Sequence, residues 1–219
     1  MRNKIKAARI ACFTLGTALL LSALFLVIHN VLEDRSSGEQ AEVILQSLKD
    51  EIPEYTEPVT TMPIAENYDL FAEYEDEPAE PTVPEMETIT VDGNVYIGYI
   101  SIPAIDIELP VLQNWSYPNL KIAPCRYVGN IYENDLIICA HNYTTHFGKI
   151  GNLHTDDEII LTDVSGKEWH YSVVNIEQLP GTAVEDIKFG NADDWDLTLF
   201  TCTLGGQSRV TVRAVRIEE

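Results

Sequence analysis

Three patterns of apolar and polar positions follow one another along the chain. The first is "IACFTLGTALLLSALFLVI", residues 10–28, without a single charge. At about 1.5 Å per residue, a helix of that length covers roughly the 30 Å hydrocarbon core of a bilayer. It predicts a transmembrane anchor over residues 10–31. A cleaved signal peptide fits less well, because its apolar region is usually about 7–15 residues long and ends in a small-x-small site. The second pattern predicts a disordered acidic linker over 32–88. It opens with "EQAEVILQSLKD", a candidate short amphipathic helix, and continues with Pro53, Pro58, Pro63, Pro78, Pro81 and Pro84 among carboxylates. Few large apolar residues leave too little burial to offset chain entropy.

From residue 89 onward the period shortens to that of strands. "VYIGYIS", "IDIELPVLQ", "DLIICA", "DEIILTD", "WHYSVVNIEQL", "LTLFTC" and "RVTVRAVRI" are β-branched runs broken by Gly, Pro and Asn. Such spacing predicts an all-β barrel or sandwich over 89–219, long enough for one hydrophobic core. Between these runs, "SYPNLKIAPCRY", "THFGKIGNLH" and "TAVEDIK" predict short helices or turns.

Charge sharpens this division. Residues 1–32 carry Arg2, Lys4, Lys6 and Arg9 and no acid; residues 33–88 carry −15, and the rest −10, within a total of −21. Positive charge ahead of the span predicts a cytoplasmic basic tail, 1–9, with everything after the anchor outside the cell. The acidity argues against a nucleic-acid partner, since a polyanion is repelled. Of the four cysteines, Cys12 falls in the span, leaving Cys125, Cys139 and Cys202 outside it. An odd number cannot all pair, so at least one thiol is left over.

Strand alternation selects among them. In "DLTLFTC", Leu197, Leu199 and Thr201 share one face, while Thr198, Phe200 and Cys202 share the other. In "RVTVRAVR", Val210, Val212 and Ala214 point inward, and Arg209, Thr211 and Arg213 outward. The glycine-rich "TLGGQS" predicts a hairpin that returns Arg209 to Cys202, with Arg213 farther away. A thiol needs a base or a nearby cation to act as a nucleophile. Arg209 offers the cation, and His141, at the end of "DLIICA" and the start of a polar loop, offers the acid or base. His29 belongs to the membrane boundary, His154 to a turn and His170 to a strand, and His146 suits a capping or surface role. A metal site of Cys139, His141, His146 and Cys202 is a weaker alternative, because closed zinc sites show tighter paired spacing.

"TLFTC" at 198–202, "RVTVRA" at 209–214, "CAHN" at 139–142 and "GYISIPAIDIELPVLQ" at 98–113 together resemble the sortases, membrane-anchored cysteine transpeptidases of Gram-positive bacteria. The resemblance implies an eight-stranded sortase β-barrel with Cys202 as nucleophile, His141 as general acid and base, and Arg209 holding substrate and oxyanion. It places Thr201 and Asn142 near the substrate or oxyanion. It implies no cofactor and no metal. The donor would be a protein with an LPxTG-like sorting signal, and the acceptor an amine of a peptidoglycan precursor (lipid II) or a pilin lysine. Ala140 stands where many members have glycine, and "AHNYTTHFGKIGNLH" leans toward class B-like or D-like members. The segment "EQLPGTAVEDIKFGNADDWD" would overlie the groove, its acidity favouring basic residues flanking the signal. A peptidase that only hydrolyses, or a non-catalytic tethered β-domain, are the alternatives.

Overall fold

The computed structural model describes residues 2–56, 83–188 and 195–217. Residues 57–82 of the linker, with Pro58, Pro63, Pro78 and Pro81, lie outside the described residues, as do residues 189–194 of the segment expected over the groove. Helix α1 (Arg2–Glu51) is followed by β1 (Ile89–Val91), β2 (Asn94–Ile102), β3 (Ile107–Leu112), the single turn α2 (Tyr117–Leu120), β4 (Cys125–Val128) and β5 (Leu136–Ala140). A 3₁₀ segment, Phe147–Asn152, then leads to β6 (Glu158–Asp163), β7 (Glu168–Pro180), α3 (Val184–Lys188), β8 (Leu197–Cys202) and β9 (Ser208–Arg216).

The strands run in the order β2-β3-β4-β5-β8-β9-β7-β6, and β6 pairs with β2, so eight strands close a barrel; β1 adds a short ribbon outside it. Closure removes the exposed edges of an open sheet. Inside lie Ile97, Ile100, Val111, Leu136, Ile138, Leu161, Tyr171, Leu199, Val212 and their neighbours. A second cluster, with Ile44, Leu48, Tyr96, Leu112, Cys125 and Cys139, fills the outer surface beneath α1.

Two expectations are corrected here. "APCRY" is not only helix or turn: β4 occupies Cys125–Val128, too short for alternation to reveal, and is held by parallel pairing to β3 and antiparallel pairing to β5. The first part of the segment expected as a disordered linker, residues 32–51, is helical instead, because α1 runs on to Glu51 without a break. Ala41, Ile44, Leu45 and Leu48 recur at helical spacing and are all buried. That stripe gives this stretch an apolar face to bury against the barrel. Asp34 carries the polar end of the same contact: its carboxylate accepts from Thr144 N at 3.0 Å, Thr144 Oγ1 at 2.6 Å, Thr145 N at 3.2 Å and Thr145 Oγ1 at 2.7 Å. Burial alone would raise its pKa, but these hydrogen bonds outweigh burial and hold it below the ordinary value. Gly38 allows the close approach, since a Cβ there would lie 2.7 Å from the Thr145 methyl. The N-terminal half of α1 is long and apolar enough to cross a membrane.

His146 is fully buried in this contact rather than capping or exposed. Ser37 donates its hydroxyl to the Lys121 carbonyl and lies 3.1 Å from His146 Nε2, so Nε2 carries the hydrogen and donates to Ser37. A second proton would have to sit on Nδ1, which is buried without a partner among the described residues. Burial first, and then the charge of His141, push the pKa down to about 4, against a smaller opposing pull from Asp34. Below pH 6.5 the unfolded chain takes up a proton that the folded one refuses, so stability falls as pH drops from 6.5 toward 4. The loss reaches about 3 kcal/mol. Urea unfolding of the full chain across this window should show that slope, and His146→Met should flatten it. An unchanged slope in the variant would refute this origin.

Candidate active site

β5 and β8 run parallel, with Ala140 paired to Thr201. The next residues, His141 and Cys202, therefore leave the same end of the barrel on neighbouring strands. β8 turns through a hairpin into β9, and Cys202 pairs directly with Arg209. Gly205 and Gly206 adopt positive φ, 91° and 72°, a backbone that side chains disfavour and glycine accepts freely. The expected alternation is present: Leu197, Leu199, Val212 and Ala214 are in the core, while Cys202 and Arg209 are half-buried outside it.

These two side chains line a groove of about 180 Å³ with Trp115, Tyr117, Tyr127, Val184, Ile187 and Phe200. Its wall is mostly apolar and aromatic; Tyr127 packs edge-on against Phe200, with ring centroids 5.3 Å apart. Gly181, Val184 and Ile187 belong to the segment expected to overlie the groove, so its described part does flank Cys202. A larger cleft, about 710 Å³, lies between α1 and β3, and contains neither Cys202 nor Arg209.

Among the described residues, no hydrogen bond joins Cys202 to His141 or Arg209. Arg209 Nη1 instead donates to the carbonyls of Gly206 at 2.9 Å and Ser208 at 3.1 Å. His141 stacks on Tyr143, 4.6 Å between centroids and 19° from parallel. Burial lowers its pKa below 6.5; Lys121 adds to the effect and Glu33 opposes it. Thr201 is on the core face and donates its hydroxyl to the Ala140 carbonyl at 2.9 Å, tying β8 to β5. Asn142 follows His141 in the loop, half-buried.

That loop is closed on itself: His146 N and Gly148 N both donate to the Tyr143 carbonyl, and Phe147 N to the His141 carbonyl. A Cβ on Gly148 would lie 2.6 Å from the Tyr143 oxygen, so glycine is required there. Asp34 and Ser37 hold the loop from outside, and sequence reasoning missed both. The available signal was the Asp34, Ser37, Gly38 face, polar and small at helical spacing, immediately after the apolar span.

Cys125 and Cys139 are direct partners across β4 and β5, both free and buried. Burial pushes the Cys125 thiol up to about 12, and pushes Cys139 up as well. Both stay protonated at any ordinary pH.

Fold and site together define a class, closed β-barrels that present a thiol, an imidazole and a guanidinium at one end of three adjacent strands. A family model for the sortase domain matches residues 100–217, more than half of the chain, and the chain belongs to the sortase family. It is 27% identical over 128 residues to sortase A of Bacillus anthracis, which covers 56% of this chain and 60% of that protein. It thus spans about 60% of the length of that relative. Sortase C1 from Streptococcus agalactiae aligns at 24% identity and a TM-score of 0.49, over 59% of this chain and 72% of the other. Sortase C from Clostridium perfringens SM101 aligns at 22% identity and a TM-score of 0.48, over 85% and 90%.

Proposed function

We propose that this chain is a membrane-tethered cysteine transpeptidase of the Gram-positive cell surface, with its N-terminus in the cytoplasm and its barrel outside. It cleaves an LPxTG-like sorting signal and transfers the protein to a cell-wall or pilin amine. The observation that carries the reading is the register, which pairs Cys202 with Arg209 and sets His141 one position past the Ala140–Thr201 pair, beside a groove. The apolar lining suits the leucine and proline of such a signal.

In this reading, Cys202 gives its thiol proton to His141, and its Sγ attacks the carbonyl carbon of the signal's threonine. The carbon–nitrogen bond to glycine breaks as His141 gives its proton to the departing amine, leaving a thioester. An acceptor amine then attacks the thioester, loses its proton to His141, and releases the sulfur. Arg209 moves its guanidinium from the Gly206 and Ser208 carbonyls to the oxygen that gains charge at each step. Thr201 keeps β8 against β5, and Asn142 lies beside the bound signal. Glu185 and Asp186 on α3 favour basic residues flanking it.

Mass spectrometry of the full chain after exposure to a sorting-peptide library tests this reading, with free amines added in a second step. The expected result is an acyl adduct on Cys202 that amines remove as amide product. A carboxylic acid product with every amine would make the chain a peptidase, and no adduct at all would make it a binding domain.

A further inference from the structure

α1 continues from the apolar span into the stretch that packs on the barrel, so the contacts along it order the barrel by height above the bilayer. Glu33 binds Lys121 at 2.7 Å, Asp34 holds Thr144 and Thr145, and Ser37 meets His146. Just past the other end of the helix, the Pro53 carbonyl lies against Gly166, in the turn between β6 and β7 at the strand ends opposite Cys202. Glu51 lies eighteen residues beyond Glu33, a rise of about 27 Å. The lower contacts are all to the His141–His146 loop and to the residue just after α2. Ile28, the last residue of the apolar run, is only five residues before Glu33, about 7.5 Å, the depth of the headgroup layer.

The end of the barrel that carries His141 and Cys202 therefore faces the membrane. The exposure of its side chains agrees independently. Outside α1, the two most exposed large apolar side chains among the described residues are Leu204, 96% exposed, and Tyr117, 77% exposed. Leu204 lies in the hairpin two residues beyond Cys202, and Tyr117 lines the Cys202 groove beside Trp115, with ring centroids 6.0 Å apart. Tyrosine and tryptophan are the residues that settle at membrane interfaces, and a fully exposed leucine gains by burial in the acyl boundary.

We propose that the catalytic end of the barrel docks on the lipid bilayer, with Tyr117 and Leu204 seated in the headgroup layer at the rim of the Cys202 groove. This rests on the reading of α1 as a membrane anchor. The groove then opens at the membrane surface.

The test uses the full chain in vesicles of phosphatidylcholine and phosphatidylglycerol, one set brominated on the acyl chains close to the headgroups. Leu204→Trp puts a reporter at the proposed contact, and Tyr55→Trp puts one beyond the far end of α1. The expected result is a loss of emission in brominated vesicles for the residue 204 variant relative to the parent chain, and none for the residue 55 variant. Equal quenching of the two variants, in a chain that floats with the vesicles and resists alkaline extraction, would overturn the docking and leave the anchor standing. A chain that fails to float would overturn the anchor reading, and this inference with it. Leu204 is almost fully exposed, so the substitution leaves the fold intact.

Discussion

Cys202→Ala should abolish turnover of a cognate sorting peptide, with kcat/KM falling by at least about 10⁴-fold, because a covalent step has no substitute once its nucleophile is gone. The chain has three thiols outside the apolar span, so the loss alone does not identify a site; the contrast among them does. Cys125 and Cys139 are buried and held protonated, whereas Cys202 is half-buried on the groove. Iodoacetamide should therefore label the barrel once, at Cys202, and the alanine variant should lose that label. Cys125→Ala should keep activity and labelling, with a modest loss of stability from the cavity. His141→Ala should match the Cys202 variant in turnover yet still accept the label. Normal turnover by the Cys202 variant would end the proposed mechanism, and labelling at Cys139 instead would move the nucleophile one strand over.

The contrast rests on features that were unevenly legible in the sequence. Local periodicity was enough for β8, the glycine hairpin and β9, because alternation and a short turn together determine which side chains are opposite. It put Cys202 and Arg209 side by side without any long-range information. The same reasoning could not reach His146, whose partner Ser37 is 109 residues away in the chain. A histidine before a short helix reads as a cap until the element that covers it is known. The acidic stretch after the span was legible only in part, for a different reason: the amphipathic pattern of residues 39–50 was readable, but the average charge over 33–88 hid that this helix continues from the span and docks on the barrel. Composition reports what a segment does on average, and docking needs only one face.

Arg213 shows where face and burial part company. Alternation sends it outward beside Arg209, and it does leave the barrel on that side, yet it is only 1% exposed. α3 and Trp195 lie over it. Its Nε donates to Glu177 at 3.1 Å, Nη1 to the Ile187 carbonyl and the Thr198 hydroxyl at 2.9 Å each, and Nη2 to the Asp186 carbonyl. The guanidinium also lies 4.5 Å from the centroid of the Trp195 ring. Burial pulls its pKa below the ordinary value, while Glu177 opposes the shift, and an arginine stays charged under both. Arg213→Met removes every one of these donors and leaves two α3 carbonyls facing an apolar side chain. The expected loss is about 3 kcal/mol, the low end for a broken buried pair because Glu177 can still reach water, and roughly a 10 °C fall in the melting temperature. α3 supplies Val184 and Ile187 to the groove, so binding of the sorting peptide should weaken as well. Arg209→Met, four residues earlier on the same strand face, should leave the melting temperature within a degree or two while turnover collapses, since its guanidinium holds only two hairpin carbonyls. Lysine at 213 should restore little, because one ammonium cannot serve four acceptors in a planar fork. Thermal unfolding and peptide turnover of the four proteins would decide it: two arginines that lower stability equally would mean that the hairpin, and not α3, is what this strand supports.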